Sequence, residues 1–389
     1  MIVTDILAWV LIALLAVPSI VFVVECLSGF SGQPDEDAGT APPFAVLVPA
    51  HDEARGIAGT IAAIQAQLRP CDRLLVVADN CSDDTLAVTL SCDARAVVRH
   101  DPSRRGKGFA LAAGRDALQL EPPAVVIVVD ADCRPERGAL QRLAATAAKN
   151  GAVVQALYLL ETDPNANARS GISTFAFLVK NKIRQRGLAR LGAPALLQGT
   201  GMAFPWRVFA DAPLASDEIV EDLELGLKLA LSGSAIRFFE PAVFVSRASS
   251  GSALVSQRTR WEHGSIGMAR RYVPVLAKAI LRGRFELLAL LLDLFVPPLA
   301  LLVLAATAAT ILVTAYGVYR SDLALSLAAP TIPVVLGIVV TAMWSRFGRA
   351  SLPFGALMRV PAYMWWKIPI YLRLIAAPER RWIRTGRDE

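Results

Sequence analysis

Residues 125–136, VVIVVDADCRPE, run a string of β-branched residues into Asp130 and Asp132, two carboxylates one residue apart. Past the end of a strand such a pair faces a common space once the chain turns, and the two charges repel. A divalent cation relieves that repulsion, and hard carboxylate oxygens suit Mg2+ or Mn2+. The plainer reading is a polar turn. Upstream, RRGKG (104–108) supplies the opposite charge: Arg104, Arg105 and Lys107 bring cationic donors, and the glycines allow close backbone approach to a ligand. Its plainer reading is a solvated basic loop, and its spacing is not the GxxxxGK[ST] of a P-loop. Farther on, Glu221, Asp222 and Glu224 open an amphipathic stretch, where acids also suit a first helical turn for dipole reasons alone.

The elements that must hold these groups alternate. FAVLVPA (44–50), RLLVVADN (73–80), ARAVVRH (94–100) and AVVIVVDAD (124–132) read as strands. Between them lie the helical patterns GIAGTIAAIQAQL, SDDTLAVTLSC and GKGFALAAGRDALQL, with Ser82 and Asp83 as candidate N-caps of the second. This alternation implies parallel strands with helices on both faces, and ligands then bind beyond the carboxyl ends of the strands. Four polar clusters fall at such ends: His51, Asp52 and Glu53; Asp79 and Asn80; Asp101 with the RRGKG loop; Asp130 and Asp132. One would mean little; four on one edge make a site.

The chain has 389 residues, 54% hydrophobic and 19% charged, with a mean hydropathy of +0.46. A soluble domain joined to membrane segments fits both figures. Residues 6–24 are uncharged and reach about the 20 residues that span a bilayer. The preceding MIVTD lacks Lys and Arg and no small-x-small site follows, which favours an uncleaved anchor over a signal peptide. Residues 287–317 read as an interfacial lead-in and then a span from about residue 298; 327–344 reads as another span. Residues 360–375 carry Lys367 and Arg373 among aromatics and read as lying along the membrane, a full crossing being the second option. The loop between the later spans has only Arg320, whereas 345–359 and 379–387 are strongly basic. The positive-inside rule therefore places both, and residues 45–285, in the cytoplasm of a multi-pass inner (plasma) membrane protein.

Net charge +6 suits an anionic membrane face and an anionic ligand. No nucleic-acid partner is expected, because neither aromatic-basic interleaving nor zinc spacing is present. The five cysteines form no CxxC pair and read as free thiols. Residues 172–192 and 264–284 read as basic amphipathic stretches, the first equally as a packed helix.

Taken in order, PAHDEA (49–54), VVADNCSDD (76–84), RRGKG and VVDADC (128–133) resemble the nucleotide-binding half of family-2 glycosyltransferases. QGTGMAFP (198–205), VEDLELGLKL (220–229) and QRTRW (257–261) are similar to the family's acceptor-pocket, ED and QxxRW motifs. The last is typical of the membrane-bound branch of cellulose, chitin, hyaluronan and poly-N-acetylglucosamine synthases. The resemblance covers about 44–265 and implies a GT-A-like α/β fold, with a mixed, mainly parallel sheet, helices on both faces and added transmembrane helices. The organisation it implies is an anchor (1–28), a linker (29–43), the transferase domain (44–265), an interfacial segment (266–296), C-terminal spans (297–376) and a basic tail (377–389).

Roles follow motif by motif. Asp79 resembles the aspartate that binds base and ribose; Pro49, Ala50 and Glu53 would line the nucleotide pocket, and Lys107 would support the nucleotide. Asp130 looks like a nucleotide and metal contact, Asp132 like the principal metal ligand, and Asp222 like the general base. Gly199, Thr200, Gly201 and Glu221 fall in the acceptor and diphosphate region, over which Gln257, Arg258, Arg260 and Trp261 would close. Trp261 also reads as an interfacial anchor; His263 is a further candidate contact, and His51 is given no chemistry.

The resemblance implies an inverting transferase moving a sugar from a nucleotide-diphosphate donor, a UDP-sugar, to the hydroxyl of a growing polysaccharide with a divalent metal, Mg2+ or Mn2+. Non-processive addition to a polyprenyl-linked saccharide is the alternative, and an inactive scaffold or transporter component of a secretion complex a lesser one. Expected partners are the nucleotide-sugar, a saccharide or lipid-linked acceptor, membrane lipid, and a homo-oligomer or secretion complex.

Overall fold

The computed structural model describes residues 2–32, 38–161, 167–248 and 251–376. The centre of the linker and the basic tail of 377–389 lie outside the described residues. From the N-terminus come α1 (Ile2–Ser28), β1 (Phe44–Ala50), α2 (Ile57–Gln65), β2 (Arg73–Asp79), α3 (Thr85–Ser91), β3 (Arg95–Arg99), α4 (Lys107–Leu118) and β4 (Val125–Val128). Next are β5 (Cys133–Pro135), α5 (Ala139–Asn150), β6 (Val153–Glu161), α6 (Ala168–Leu178), a π-helical turn (Val179–Arg184) and α7 (Gln185–Arg190). There follow β7 (Met202–Pro205), α8 (Trp206–Ala210), α9 (Glu221–Leu231), β8 (Ile236–Arg247), α10 (Gly251–Leu281) and α11 (Leu288–Leu294). The chain ends with α12 (Leu299–Arg320), α13 (Leu323–Met343), α14 (Phe354–Leu357) and α15 (Val360–Ala376).

The chain divides into two compact units. The sheet unit comprises Gly32–Asp163 and Pro194–Met268. Its eight strands lie in the order β3-β2-β1-β4-β7-β6-β8-β5. The four expected strands form the parallel half, with β1 flanked by β2 and β4 and with β3 outside β2. Every residue of β1 and β4 is buried. That is why they read as unbroken apolar runs: parallel strands are covered on both faces, and each buried aliphatic side chain contributes about 1.5–3 kcal/mol. Beyond β4 the sheet turns mixed, β7 running antiparallel to both β4 and β6.

Two local expectations are corrected. The fourth strand ends at Val128 rather than continuing to Asp132, because a turn begins there: the Cys133 amide donates to the Asp130 carbonyl at 3.0 Å. The N-cap of α3 is Asp84, without a side-chain bond. Asp83 instead accepts from the Thr85 and Ala54 amides at 3.0 Å each, tying the β2 loop to the loop after β1.

The helical unit comprises Met1–Ser31, Pro164–Ala193 and Ala269–Pro378. The run from α6 to α7, inside the 44–265 span drawn from sequence, therefore packs here: Ile172, Phe175, Val179 and Ile183 share a buried cluster with Phe22, Leu302, Leu336 and Met343. Of the two readings for 172–192, the packed helix is observed. Among the described residues, three helices are long and apolar enough to cross a membrane: Ile2–Ser28, Leu299–Arg320 and Leu323–Gly348.

The start of β1 is fixed by one buried carboxylate. Asp72 accepts from the Phe44 amide (3.2 Å), the Arg69 amide (3.0 Å) and the Arg69 guanidinium (2.8 Å), which also donates to the carbonyls of Ala41 and Pro42. Burial alone would raise the Asp72 carboxyl, but the Arg69 and Phe44 hydrogen bonds outweigh it and hold it below the usual aspartate value. Asp72→Ala is therefore expected to lose about 1–3 kcal/mol at neutral pH, read from the denaturation midpoint in detergent. A depressed folded pKa stabilises above the unfolded value, so the gap to wild type should narrow as pH falls below about 4.

Candidate active site

Because β1 to β4 run parallel, their carboxyl ends share one edge, and the polar clusters gather there. Pro49 and Ala50 close β1. At the end of β2, Asp79 accepts from Arg99 (2.6 Å) and Asn80 (3.0 Å), both at Oδ1. His51 Nδ1 donates to the Asp79 carbonyl at 2.7 Å, and the Glu53 amide donates to Thr85. Arg99 also donates to the Arg104 carbonyl, which connects this group to the RRGKG loop. Arg99 lay unremarked in the third strand, because its meeting with Asp79 depends on the register between β2 and β3.

Lys107 carries the edge into a second group. Its ammonium pairs with Asp130, donates to the Gly199 carbonyl at 2.8 Å and lies 3.9 Å from Glu221. Gly199 has φ +86°, and a Cβ placed on it would stand 3.0 Å from Lys107 Nζ, 3.3 Å from Asp222 Oδ2 and 3.5 Å from Asp130 Oδ2. Glycine is needed twice over, for the left-handed backbone and for the space. Gly201, at φ +63°, packs against Phe244 and Ala156 so closely that a Cβ would fall 2.8 Å and 2.9 Å from them.

The 198–201 loop is braced from below. Thr200 Oγ1 accepts from the Asp130 amide (3.1 Å), while buried Gln155 donates to the Thr200 carbonyl (3.0 Å) and accepts from the Gln198 amide (2.9 Å). Thr60 donates to the Ala131 carbonyl at 2.8 Å, fixing the turn between the two aspartates. Sequence reading missed Gln155 and Thr60; each sits in an ordinary strand or helix pattern, and only the fold brings it to the loop.

Glu221, Asp222 and Glu224 open α9 as expected. Glu224 is structural, bonded to Ser216 at 2.8 Å and paired with Lys228 at 3.1 Å. Glu221 and Asp222 instead face the site. Gln257, Arg258, Arg260 and Trp261 lie close together along α10, and the Arg258 guanidinium covers the Trp261 ring at 4.9 Å. His263 is buried. Arg260 interacts electrostatically with Glu221, Asp222, Asp130 and Asp132 together. The amide oxygens of Gln198 and Gln257 are buried without a hydrogen-bond donor among the described residues, acceptors of the kind a sugar hydroxyl satisfies.

The charges do not balance. Four carboxyls (Asp130, Asp132, Glu221, Asp222) meet two cations, Lys107 and Arg260. Burial, then the neighbouring Asp222, pushes Glu221 up to about 7 against the pull of Lys107. Burial works against the Lys107 charge, but Asp130, Glu221 and Asp222 outweigh it and hold the ammonium above the usual lysine value. Even with Glu221 partly protonated near neutral pH, these carboxylates outnumber the two cations, an excess of negative charge that a divalent cation would offset. Asp130, Asp132 and Cys133 place one donor atom each within 4.8 Å of one another. The Cys133 thiol is buried, its pKa pushed well above the usual cysteine value by burial and by Asp132, and it donates to Asp132 at 3.5 Å. A protonated thiol is a poor ligand, which leaves two hard oxygens suited to Mg2+ or Mn2+. Mn2+ binding followed by electron paramagnetic resonance should weaken about 10-fold or more in Asp132→Ala and stay within about 2-fold in Cys133→Ser.

Comparison with known proteins agrees with this architecture. Residues 42–264, more than half of the chain, match the model of the glycosyltransferase-like family 2. A curated relative, "Probable glycosyltransferase YdaM" of Bacillus subtilis (strain 168), is 29% identical over 242 residues, covering 59% of this chain. The chain spans 57% of that relative's length. Among solved structures, the mannosyltransferase PcManGT from Pyrobaculum calidifontis, in complex with GDP-Man and Mn2+, superposes with a TM-score of 0.54 at 19% identity, covering 87% of this chain and 97% of that one. Glucosyl-3-phosphoglycerate synthase from Mycobacterium tuberculosis, in complex with Mn2+, UDP and glucosyl-3-phosphoglycerate, gives 0.43 at 17% identity, covering 62% and 86%. With the first of these sharing the fold and the family model covering the whole edge that carries Asp79, Asp130, Asp132 and Asp222, the chain belongs to the family-2 glycosyltransferases.

Proposed function

We propose that this protein is a membrane-anchored, inverting glycosyltransferase that moves a sugar from a nucleotide-diphosphate donor to a saccharide hydroxyl. The observation that carries the reading is the convergence of Lys107, Asp130 and Asp222 on Gly199. It puts a cation, a metal-ligating carboxylate and a candidate base around one small space. Family membership makes group transfer the chemistry.

In this reading Pro49, Ala50, Glu53 and Asp79 hold the nucleotide, a uridine diphosphate. Asp130 and Asp132 would hold Mg2+ or Mn2+, which when bound supplies charge stabilisation for the departing diphosphate. Lys107, Arg258 and Arg260 donate to phosphate oxygens, preformed donors where negative charge develops. Asp222 accepts the proton of the acceptor hydroxyl as its oxygen bonds to the anomeric carbon and the sugar–phosphate bond breaks. Glu221 and the 199–201 loop, Gln257 and Trp261 orient the acceptor, and such positioning lowers the barrier by removing rotational freedom beforehand. A single displacement inverts the anomeric centre, so an α-linked donor gives a β-linkage.

The acceptor is read as a growing polysaccharide, on the strength of QRTRW. The three helices among the described residues that are apolar enough to cross a membrane are little material for a polymer pore, which favours the second reading, addition of few sugars to a polyprenyl-linked saccharide. The topology that fits the basic segments places α1, α12 and α13 across the inner membrane, with the sheet unit in the cytoplasm and α15 along the surface.

Membranes incubated with labelled UDP- and GDP-sugars, with product sizing and anomer assignment, test this directly. Asp222→Asn should cut transfer about 10²–10⁴-fold while nucleotide diphosphate binding persists. Gly199→Val, which fills the space where the three side chains meet, should cut it at least about 10-fold. Unchanged transfer in Asp222→Asn removes the mechanism; retention of the anomeric configuration removes the single displacement.

A further inference from the structure

Two stretches of the helical unit, distant in sequence, are basic without a single acid. Residues 168–193 carry six Lys or Arg, and 344–376 carry five; neither holds an Asp or Glu. The fold packs them together. Phe175, Val179 and Ile183 of the first share a buried cluster with Leu352 and Tyr363 of the second, and α6 touches both α14 and α15. They meet at one end of the bundle. Arg190 and Arg186 donate to the carbonyls of Ser28 and Gly29, where α1 ends, and Arg346 and Arg349 follow directly on α13. The opposite end is marked by Asp5, 3.6 Å from Arg320 and 2.7 Å from the Tyr316 hydroxyl that donates to it.

The side chains at the basic end are organised by aromatic rings. Arg169 lies over Trp366 at 5.6 Å, Arg349 over Trp344 at 5.5 Å, and Arg186 and Arg346 over Phe347 at 5.4 and 5.2 Å. Lys367, 1% exposed, lies 5.6 Å from both Tyr363 and Trp366. Arg184 is committed inward, to Glu25 at 2.6 Å and to Asp293. Arg169, Arg346 and Arg349 are exposed. Guanidinium groups propped on aromatic faces, at the level where apolar helices end, combine the two features of a bilayer interface: amphipathic rings and fixed positive charge.

We infer that this collar is a binding surface for the anionic phosphate headgroups of membrane phospholipid, and that the protein selects such lipids for its immediate shell. Charge complementarity fixes the occupant. The collar exposes Arg169, Arg346 and Arg349 together, and each Lys or Arg near an anionic surface adds to the attraction. The inference rests on the reading of α1, α12 and α13 as membrane spans, and is independent of donor and acceptor.

The test uses the full chain reconstituted in phosphatidylcholine bilayers with trace spin-labelled lipid, read by electron paramagnetic resonance. A motionally restricted lipid component reports embedding, whatever its headgroup; its absence with both labels removes the span reading and the collar with it. With embedding established, labelled phosphatidylglycerol should associate about threefold or more over phosphatidylcholine at low salt, and the preference should collapse at about 1 M salt. Arg169→Gln with Arg346→Gln and Arg349→Gln should halve it or more. Equal association of the two lipids with wild type at low salt overturns the proposal, with no variant needed. Loss of the preference to inorganic phosphate, but not to chloride of equal ionic strength, also overturns it in favour of a free-phosphate site.

Discussion

Like charges crowded at the end of a strand are expensive, and the sheet unit is arranged around that expense. Asp130, Asp132, Glu221 and Asp222 come from two distant segments and share one space with the counter-charges Lys107 and Arg260. The protein relieves part of the strain by itself, lifting Glu221 to about 7 and fastening Lys107 on Asp130. What remains is an excess of negative charge that a divalent ion would offset. A region with that imbalance is poised to take a metal together with an anionic leaving group, the requirement of sugar transfer from a diphosphate donor.

Holding such a cluster together needs a scaffold that does not yield. The carboxylates and Lys107 stand at the ends of β4 and the starts of α9 and α4, and the loop between them is clamped through its backbone. Gln155 grips the Thr200 carbonyl and the Gln198 amide, Thr200 grips the Asp130 amide, and Thr60 holds the Ala131 carbonyl. These bonds go to main-chain atoms, so they fix the loop without using the carboxylates of the site. Beneath them β1 and β4 are wholly buried, which gives the edge its rigidity.

The helical unit follows a different logic. Its apolar helices pack on one another through a buried aliphatic and aromatic cluster, and basic, aromatic-rich segments gather beside it. The buried Arg184, held between Glu25 of α1 and Asp293 of α11, secures the π-helical turn before α7 to the end of α1. Truncating one partner of such a group leaves an unpaired buried charge, so the three residues stand or fall together.

Much of this was legible in the linear chain. The four parallel strands, the three apolar helices and the positions of Asp79, Lys107, Asp130, Asp132 and Asp222 all follow from periodicity, apolar length and motif order, because each is a local property of successive residues. The sequence could not place Arg99 on Asp79, Gln155 under the 198–201 loop, or residues 168–190 among the apolar helices. Those meetings depend on strand register and on which faces pack, and residues tens to hundreds of positions apart carry no mark of each other. Residue types, charges and local periods are written in the chain; the excess of negative charge at one point, and the merging of two basic stretches into one collar, arise only when folding brings distant segments within a few ångströms, where Coulombic and hydrogen-bond energies become large.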